Sequence, residues 1–489
     1  MAVAITPIAM PSLRVESDTL RSVGALLAVG LIGALVVVFP LAAVAFLGLL
    51  YLVLRGKYAF RDAMALILAG NMALSYGFAN IGLKGFLPIP FTDGLLMLLV
   101  AWALIYQKSL RGFGRPAVFL GAILALASVR LATDFYTYGT PAIRDFTTPV
   151  EATFVLVGYW AFREYGLKWA MRLWMGVAVV VVVYALFFPF LGEGKGPQVG
   201  LQQPVYLFSQ YVGIGPAVVS AMFLFLLRLK SPLCWLAGAV CLAELAVLQM
   251  KGLYIAVPMV VILLGFAAGK TQTHLPRKLG ASMLLGGVLL GVALPFIPTG
   301  RVANISFATF IEQFTALDGD KDKAGGEAVS DRIKWQTRTW EEQKKSVGDM
   351  VWGMGLGRDL TAGFNAGGDA NVRKPHNDYI EIQARYGFIG LALWLAFIGS
   401  LLIPVWRGAR SAHVTRDERQ FLLWILATAI TALFIAGTQP LLAYPYGTAA
   451  IFCTLGMGLA LVRQAESRYA DDLEAAQWSM ALADTKSSH

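Results

Sequence analysis

RKPHNDYIEIQARYGFIGLALWLAFIGSLLIPVW, Arg373–Trp406, passes from two cations, a proline and a histidine into one of the most apolar runs of the chain. The apolar part is long enough to cross a bilayer core of about 30 Å as a helix. Comparable blocks of roughly 17–25 residues recur along the chain. Hydrophobic residues make up 57% of the 489 positions, charged residues only 14%, and the mean hydropathy is +0.64. A soluble domain would carry about 25% charged residues. The sequence therefore predicts an all-α, polytopic integral membrane protein.

Reading outward from that run, candidate spans fall near 22–38, 41–54, 62–80, 92–106, 116–133, 150–163, 173–191, 209–227, 232–250, 252–268, 281–298, 378–406, 421–438 and 443–462. The expectation is 12–14 transmembrane helices, since short neighbours can merge or re-enter. Residues 22–54 are apolar for 33 positions. That is far beyond the roughly 7–15 residues of a signal-peptide core, so they read as two spans with a turn near Pro40. Cys234, Cys241 and Cys453 all lie in apolar segments without metal-ligand spacing, so neither a disulfide framework nor a zinc site is indicated. The net charge of +10 reads as basic cytoplasmic loops, with no nucleic-acid partner implied.

The basic clusters set the expected topology. Arg55, Lys57 and Arg61; Lys108, Arg111 and Arg115; Arg163, Lys168 and Arg172; Arg228 and Lys230; Lys270, Arg277 and Lys278; Arg407, Arg410, Arg416 and Arg419; and Arg463 and Arg468 all fall in alternate loops. The positive-inside rule places these loops, and with them both termini, in the cytoplasm. The opposite side then receives short links at 81–91, 134–149 and 192–208 and one long segment, 299–377. Within 301–376, eleven Lys and Arg face eleven Asp and Glu. A neutral segment of this length suits translocation, and its length predicts helices of its own. SDRIKWQTRTWEEQKKSV is the expected helix, capped by Ser330 or Asp331. The resulting division is a transmembrane bundle 1–298, a periplasmic loop domain 299–377, C-terminal helices 378–463 and a cytoplasmic tail 464–489.

His274 and His413 fall in predicted cytoplasmic loops and His489 ends the chain, which leaves His376 as the one extracytoplasmic histidine. Pro375 disfavours helix before it, so the helix begins at or after His376, with Asn377 or Asp378 as its cap. Its positive end would face outward and favour an anion.

HNDYIEIQARYGFIG fits the pattern His, then Asn, Ser or Gln, nine residues, Gly, two residues, and Gly, Thr or Tyr, with His376, Asn377, Gly387 and Gly390 in the fixed places. It resembles the signature of the O-antigen ligase and Wzy-type polymerase superfamily. The upstream DRIKWQ and VWGMGLGRDL are similar to that family's Arg-x-x-x-Trp and Gly-x-Gly approach to the histidine. The motif resemblance covers roughly 331–392, and the many-span topology extends it loosely over the chain. It implies a GT-C-like fold in the bacterial inner membrane. It also implies glycan transfer from undecaprenyl diphosphate to an acceptor hydroxyl at the periplasmic face. The acceptor would be the lipid A core for a ligase, or a lipid-linked repeat unit for a polymerase. The chain departs from the family at Met250-Lys251, where many members carry Ser-Arg, and lysine cannot grip phosphate in a bidentate way.

Such a reaction needs a general base for the hydroxyl and positive charge for the departing diphosphate. His376 is the candidate base. Arg130, Lys251, Arg332, Arg338 and Arg373 are candidate cations, with Arg358 in the same loop, and Asn377 is a candidate to orient His376 or contact substrate. Arg130 stands first because a charge inside a span is costly. Glu244, on one helical face with Lys251, is its candidate partner. Plain alternatives stand beside these: Arg130 snorkelling to headgroups, Lys251 terminating helices, Asn377 acting only as a cap, and Glu381 with Arg385 pairing on a helix face. No cofactor or metal is expected. Asp318, Asp320 and Asp322 fit the first places of a calcium loop, but Lys323 replaces its glycine and Val329 its final glutamate. A transporter of the lipid carrier is the rival class. It would show duplicated halves, mid-bilayer charges and short loops, whereas this chain shows no duplicated halves, few mid-span charges and one dominant external segment.

Overall fold

The computed structural model describes residues 54–55, 57–81, 90–107, 112–191, 195–198, 206–208, 213–228, 232–268, 275–293, 326–362 and 374–487. The expected spans before residue 54 with their Pro40 turn, Arg373, and Asp318, Asp320 and Asp322 lie outside these residues. The chain divides into two compact units, Met1–Ala63 and Met64–His489. Of the first, the described part carries Arg61, which pairs with Asp62 at 3.3 Å and lies over the Tyr58 ring.

The described helices are α1 (Lys57–Ala79), α2 (Phe91–Gln107), α3 (Arg115–Tyr138), α4 (Thr140–Glu151), α5 (Phe154–Leu191), α6 (Ile214–Arg228), α7 (Leu233–Leu248), α8 (Lys251–Ala268), α9 (Leu275–Ala293), α10 (Gly326–Gln343), α11 (Val347–Trp352), α12 (Asp378–Arg410), α13 (Arg416–Ala436) and α14 (Pro445–Ser487). A short antiparallel pair, β1 (Lys195–Gln198) and β2 (Tyr206–Phe208), lies between α5 and α6. Among the described residues, seven helical stretches are long and apolar enough to cross a membrane, and three more helices are apolar but shorter. The protein is a mostly helical membrane protein.

Two expected spans, 150–163 and 173–191, belong to one helix, α5, interrupted at Gly166. The link 134–149, expected as a loop, mostly forms α4. Its Pro at the first turn suits helix entry, and its buried residues Ala142, Asp145, Thr148 and Pro149 follow helical spacing. The expected helix in the long segment is α10, but it begins at Gly326, so Ser330 and Asp331 lie inside it and do not cap it. Its last turns lie against α11 and the start of α12 through Gln343, which donates to Asp349 O at 3.0 Å and Gln383 O at 2.8 Å.

The core is a helix seam filled by aromatic side chains. Trp174 and Trp424 meet at 5.0 Å between centroids, and Phe162 stacks on Phe421 at 6.0 Å. Trp424 donates to Ser220 O at 3.0 Å, while Ser220 and Thr428 share a hydrogen bond of 2.6 Å. α14 lies along α5. In lipid such association depends on close van der Waals packing and interhelical hydrogen bonds, since tails are as apolar as leucine.

α12 is broken at Gly387 (φ 68, ψ −172), which separates a first segment, 378–386, from the long apolar remainder. A Cβ there would lie 2.1 Å from Val351 O, and one at Gly353 would lie 2.3 Å from Arg385 O. The two glycines let the end of α11 press against the break. Met354 N–H donates to Ala384 O at 2.7 Å and fastens the contact.

Candidate functional site at the mouth of α12

His376 occupies a left-handed backbone position (φ 54), unusual for a residue other than glycine. It lies between Pro375 and Asn377. Asn377 caps α12, its Oδ1 accepting from Tyr379 N–H at 3.1 Å and Ile380 N–H at 3.2 Å. The imidazole stacks on Trp335 of α10, with centroids 5.1 Å apart and planes at 29°. Burial, reinforced by the charge of Arg332 and then Lys374 against the opposing pull of Glu381, brings its pKa down to about 4. The ring is therefore a neutral imidazole at physiological pH, with one ring nitrogen able to accept a proton.

Beneath it lies a buried ion network. Arg385 Nη1 meets Asp145 Oδ2 at 2.6 Å, and Arg385 Nε donates to Glu381 Oε1 at 3.0 Å. Lys374 Nζ stands 3.3 Å from the same Glu381 oxygen and 4.6 Å above the Tyr444 ring. Burial works against the lysine's charge, but Glu381, followed by Tyr444 and Asp145, outweighs it, and the ammonium titrates above its ordinary value. Asp378 Oδ2 accepts from Leu441 N–H at 2.7 Å and Leu442 N–H at 2.6 Å, tying the α13–α14 connection to the same place. Asp145 Oδ2 also accepts from Gly357 N–H, and Asp134 Oδ2 from Leu356 N–H, each at 2.7 Å. These carboxylates thus hold the glycine-rich loop after α11, where Gly353, Gly355 and Gly357 have φ of 88, 95 and 83.

A crevice with room for about one water is lined by Asp145, Thr148, Asp378, Glu381, Arg385 and Tyr386 among others. Asp378 Oδ1, Arg385 Nη2 and the Tyr386 hydroxyl come from its lining residues and have no protein partner among the described residues. One acceptor and two donors in so small a space suit a water or a ligand hydroxyl. A second small crevice, lined mainly by Ile123, Leu126, Ile382, Gly390 and Trp394, shares Thr148 and Tyr386 with the first.

The residues singled out from the sequence separate here. Arg332 reaches the electrostatic surroundings of His376. Arg338 instead faces Glu342 at 3.7 Å on the outer side of α10, and Arg358 lies 3.9 Å from the same glutamate. Arg130 is a clamp: it donates to the backbone carbonyls of Trp352 and Gly353, at 2.5 Å for the latter. Lys251 begins α8, and Gly252 beside it lies against Ile435 and Thr438 near the end of α13. Glu244 is buried, and no ion pair joins it to a described residue. Asn377 spends its oxygen on the cap. The helix mouth itself carries Asp378 and Glu381 in its first turn, so its positive end is offset internally and an anion must be held by side chains. Among the described residues no group of three or more His, Cys, Asp or Glu is placed to hold a metal ion.

Sequence reasoning missed Asp145, Arg144 and Tyr444. Asp145 and Arg144 sat in a segment read as a link, and helical spacing of Ala142, Asp145 and Thr148 was the available signal. The pairing of Glu381 with Arg385 was legible from their spacing of four. No family model matches the chain, and no curated protein matches it significantly.

Proposed function

We propose that the protein is a membrane glycosyltransferase of the O-antigen ligase type, moving a glycan from undecaprenyl diphosphate to an acceptor hydroxyl at the periplasmic face, with His376 as general base. The observation that carries this reading is a neutral, stacked imidazole in a left-handed backbone position, flanked by Arg332 and Lys374. Such sparsely populated backbone states persist where surrounding structure over-determines them, often at active sites.

In the proposed step the imidazole takes the acceptor proton while the hydroxyl oxygen attacks the anomeric carbon. The anomeric carbon–oxygen bond breaks and undecaprenyl diphosphate leaves with the electron pair. A base titrating near 4 is weak in the free protein. An anionic diphosphate beside Arg332 would offset that arginine's charge and raise the imidazole toward the range where proton transfer is efficient. Lipid A core and a lipid-linked repeat unit remain the two acceptors, making the protein a ligase or a polymerase.

His376→Ala should lower transfer by about 10²–10⁴ without loss of folded protein. His376→Gln retains a hydrogen-bond donor but cannot take the proton, and substantial activity in it would sink the base assignment. Val347 is 78% exposed and the three native cysteines are buried, so Val347→Cys offers a clean topology probe. An impermeant thiol reagent reaching it only after inner-membrane permeabilisation would place the site on the wrong face.

A further inference from the structure

Tyr76 of α1, Arg144 of α4 and Tyr444 of the α13–α14 connection converge beside Lys374. Tyr76 meets Tyr444 edge-on, with centroids 5.6 Å apart and planes at 79°. Arg144 Nη2 stands 3.5 Å from the Tyr444 hydroxyl and within interaction reach of the Tyr76 hydroxyl. The Tyr444 ring is already covered by Lys374 and by Tyr446, stacked at 5.2 Å with planes at 12°. The Tyr444 hydroxyl, the half-buried Tyr76 ring and the exposed Arg144 guanidinium are what this corner presents.

Its charge is only partly compensated: Lys374 is paired with Glu381 at 3.3 Å, and the charge of Asp145 also reaches Arg144. The neighbouring carboxylate, Asp145, is turned inward onto Arg385 at 2.6 Å. Among the described residues no carboxylate forms an ion pair with Arg144. Arg144 and Lys374 lie close enough for each to oppose the other's charge. Arg144, held against Tyr444 at 3.5 Å, favours an incoming anion, since an arginine fork matches a carboxylate or phosphate with two hydrogen bonds. Tyrosine adds an apolar ring face and a polar tip at little cost in side-chain freedom. A snorkelling arginine alone needs no such convergence of three separate elements.

We propose that Tyr76, Arg144 and Tyr444 form a recognition shelf for a sugar ring bearing an oxyanion, so that the protein selects an acidic glycan. The oxyanion sits on Arg144, the ring lies against Tyr76, and the Tyr444 hydroxyl bonds a sugar hydroxyl. The inference rests on the transfer reading of His376, whose neighbour Lys374 joins the shelf to that centre. It assigns Arg144 to the glycan and not to the donor's diphosphate.

The test uses the full chain in nanodiscs and measures binding by calorimetry at low salt. The probes are a trigalacturonate, its fully methyl-esterified form, which has the same rings without charge, and inorganic diphosphate. The acidic trimer should bind at least tenfold more tightly than the ester. Arg144→Gln, with an unchanged unfolding midpoint, should lose at least tenfold for the acid and little for the ester, and Arg144→Lys should fall between. Equal binding of acid and ester, or an Arg144→Gln protein that binds the acid normally, overturns the shelf. So does competitive displacement of the acid by diphosphate together with loss of diphosphate binding in Arg144→Gln, because Arg144 would then serve the donor. His376→Ala should retain acid binding. An inactive His376→Ala protein alongside normal acid binding by Arg144→Gln sinks the shelf alone. A fully active His376→Ala protein sinks the transfer centre, whatever the binding shows.

Discussion

At the start of α12, Asp145, Glu381, Arg385 and Lys374 are all buried and joined by contacts of 2.6–3.3 Å. At its other end each ion pair has one wet partner. Arg468 reaches Glu418 at 2.6 Å while itself 54% exposed, and Arg228 meets Asp417 at 2.9 Å with Asp417 65% exposed. Each end also has a histidine on an aromatic ring: His376 on Trp335, and the exposed His413 on Tyr469 at 3.6 Å. Ring stacking is therefore not what distinguishes the candidate site. The distinction is a left-handed backbone, burial, and a field set by Arg332 and Lys374. An exposed pair is screened by water and contributes about 0–1 kcal/mol. A buried one cannot lose a partner without stranding the other charge.

The largest expected contrast comes from breaking one pair at each end. Asp145→Asn removes one of the two buried carboxylates on Arg385 and weakens the hold on Gly357 N–H, and should cost about 3 kcal/mol. Asp417→Asn should cost about 1 kcal/mol or less, because the carboxylate that pairs with Arg228 is largely solvent-exposed. Thermal unfolding in nanodiscs compares the two, and similar midpoints would dissolve the distinction between the ends.

A second, smaller effect sharpens the comparison through pH. The His376 pKa of about 4 lies below the ordinary imidazole value of 6.5. As pH falls from 6.5 toward 4, the unfolded chain takes up this proton before the native state does. The contribution of His376 to stability is therefore present above pH 6.5 and is lost as pH falls toward 4. His376→Gln should flatten the acid arm of the stability profile. In the wild type, kcat/KM should hold its plateau below pH 6 and fall only nearer pH 4–5. An acid limb at 6.5 in kcat/KM would remove the burial argument for His376.

The smallest effect belongs to the wet end. Thr415 caps α13 in a reciprocal capping box with Glu418. Thr415→Ala should cost about 1 kcal/mol in unfolding free energy and leave transfer unchanged. A loss of transfer comparable with that of His376→Ala would mean the two ends are coupled.

Much of this was legible before folding because it depends on local rules. Apolar runs of bilayer length announce membrane helices. Pro375 ahead of Asn377 sets the start of α12, and a spacing of four brings Glu381 to Arg385. The Gly387 break was not legible, since a lone glycine in an apolar run does not say that Val351 O will press against it. Arg130 reads in sequence as a costly charge awaiting a ligand, yet its partners are carbonyls 222 and 223 positions away.

The sequence by itself determined that this is a helical membrane protein with one histidine at a helix mouth, because hydrophobic length, proline and capping act over a few residues. Only the tertiary structure decided what surrounds that histidine. Asp145 from α4, Lys374 from the approach to α12 and Tyr444 from the α13–α14 connection meet through packing of distant helices. Whether a charge is buried and paired or exposed and screened depends on that packing.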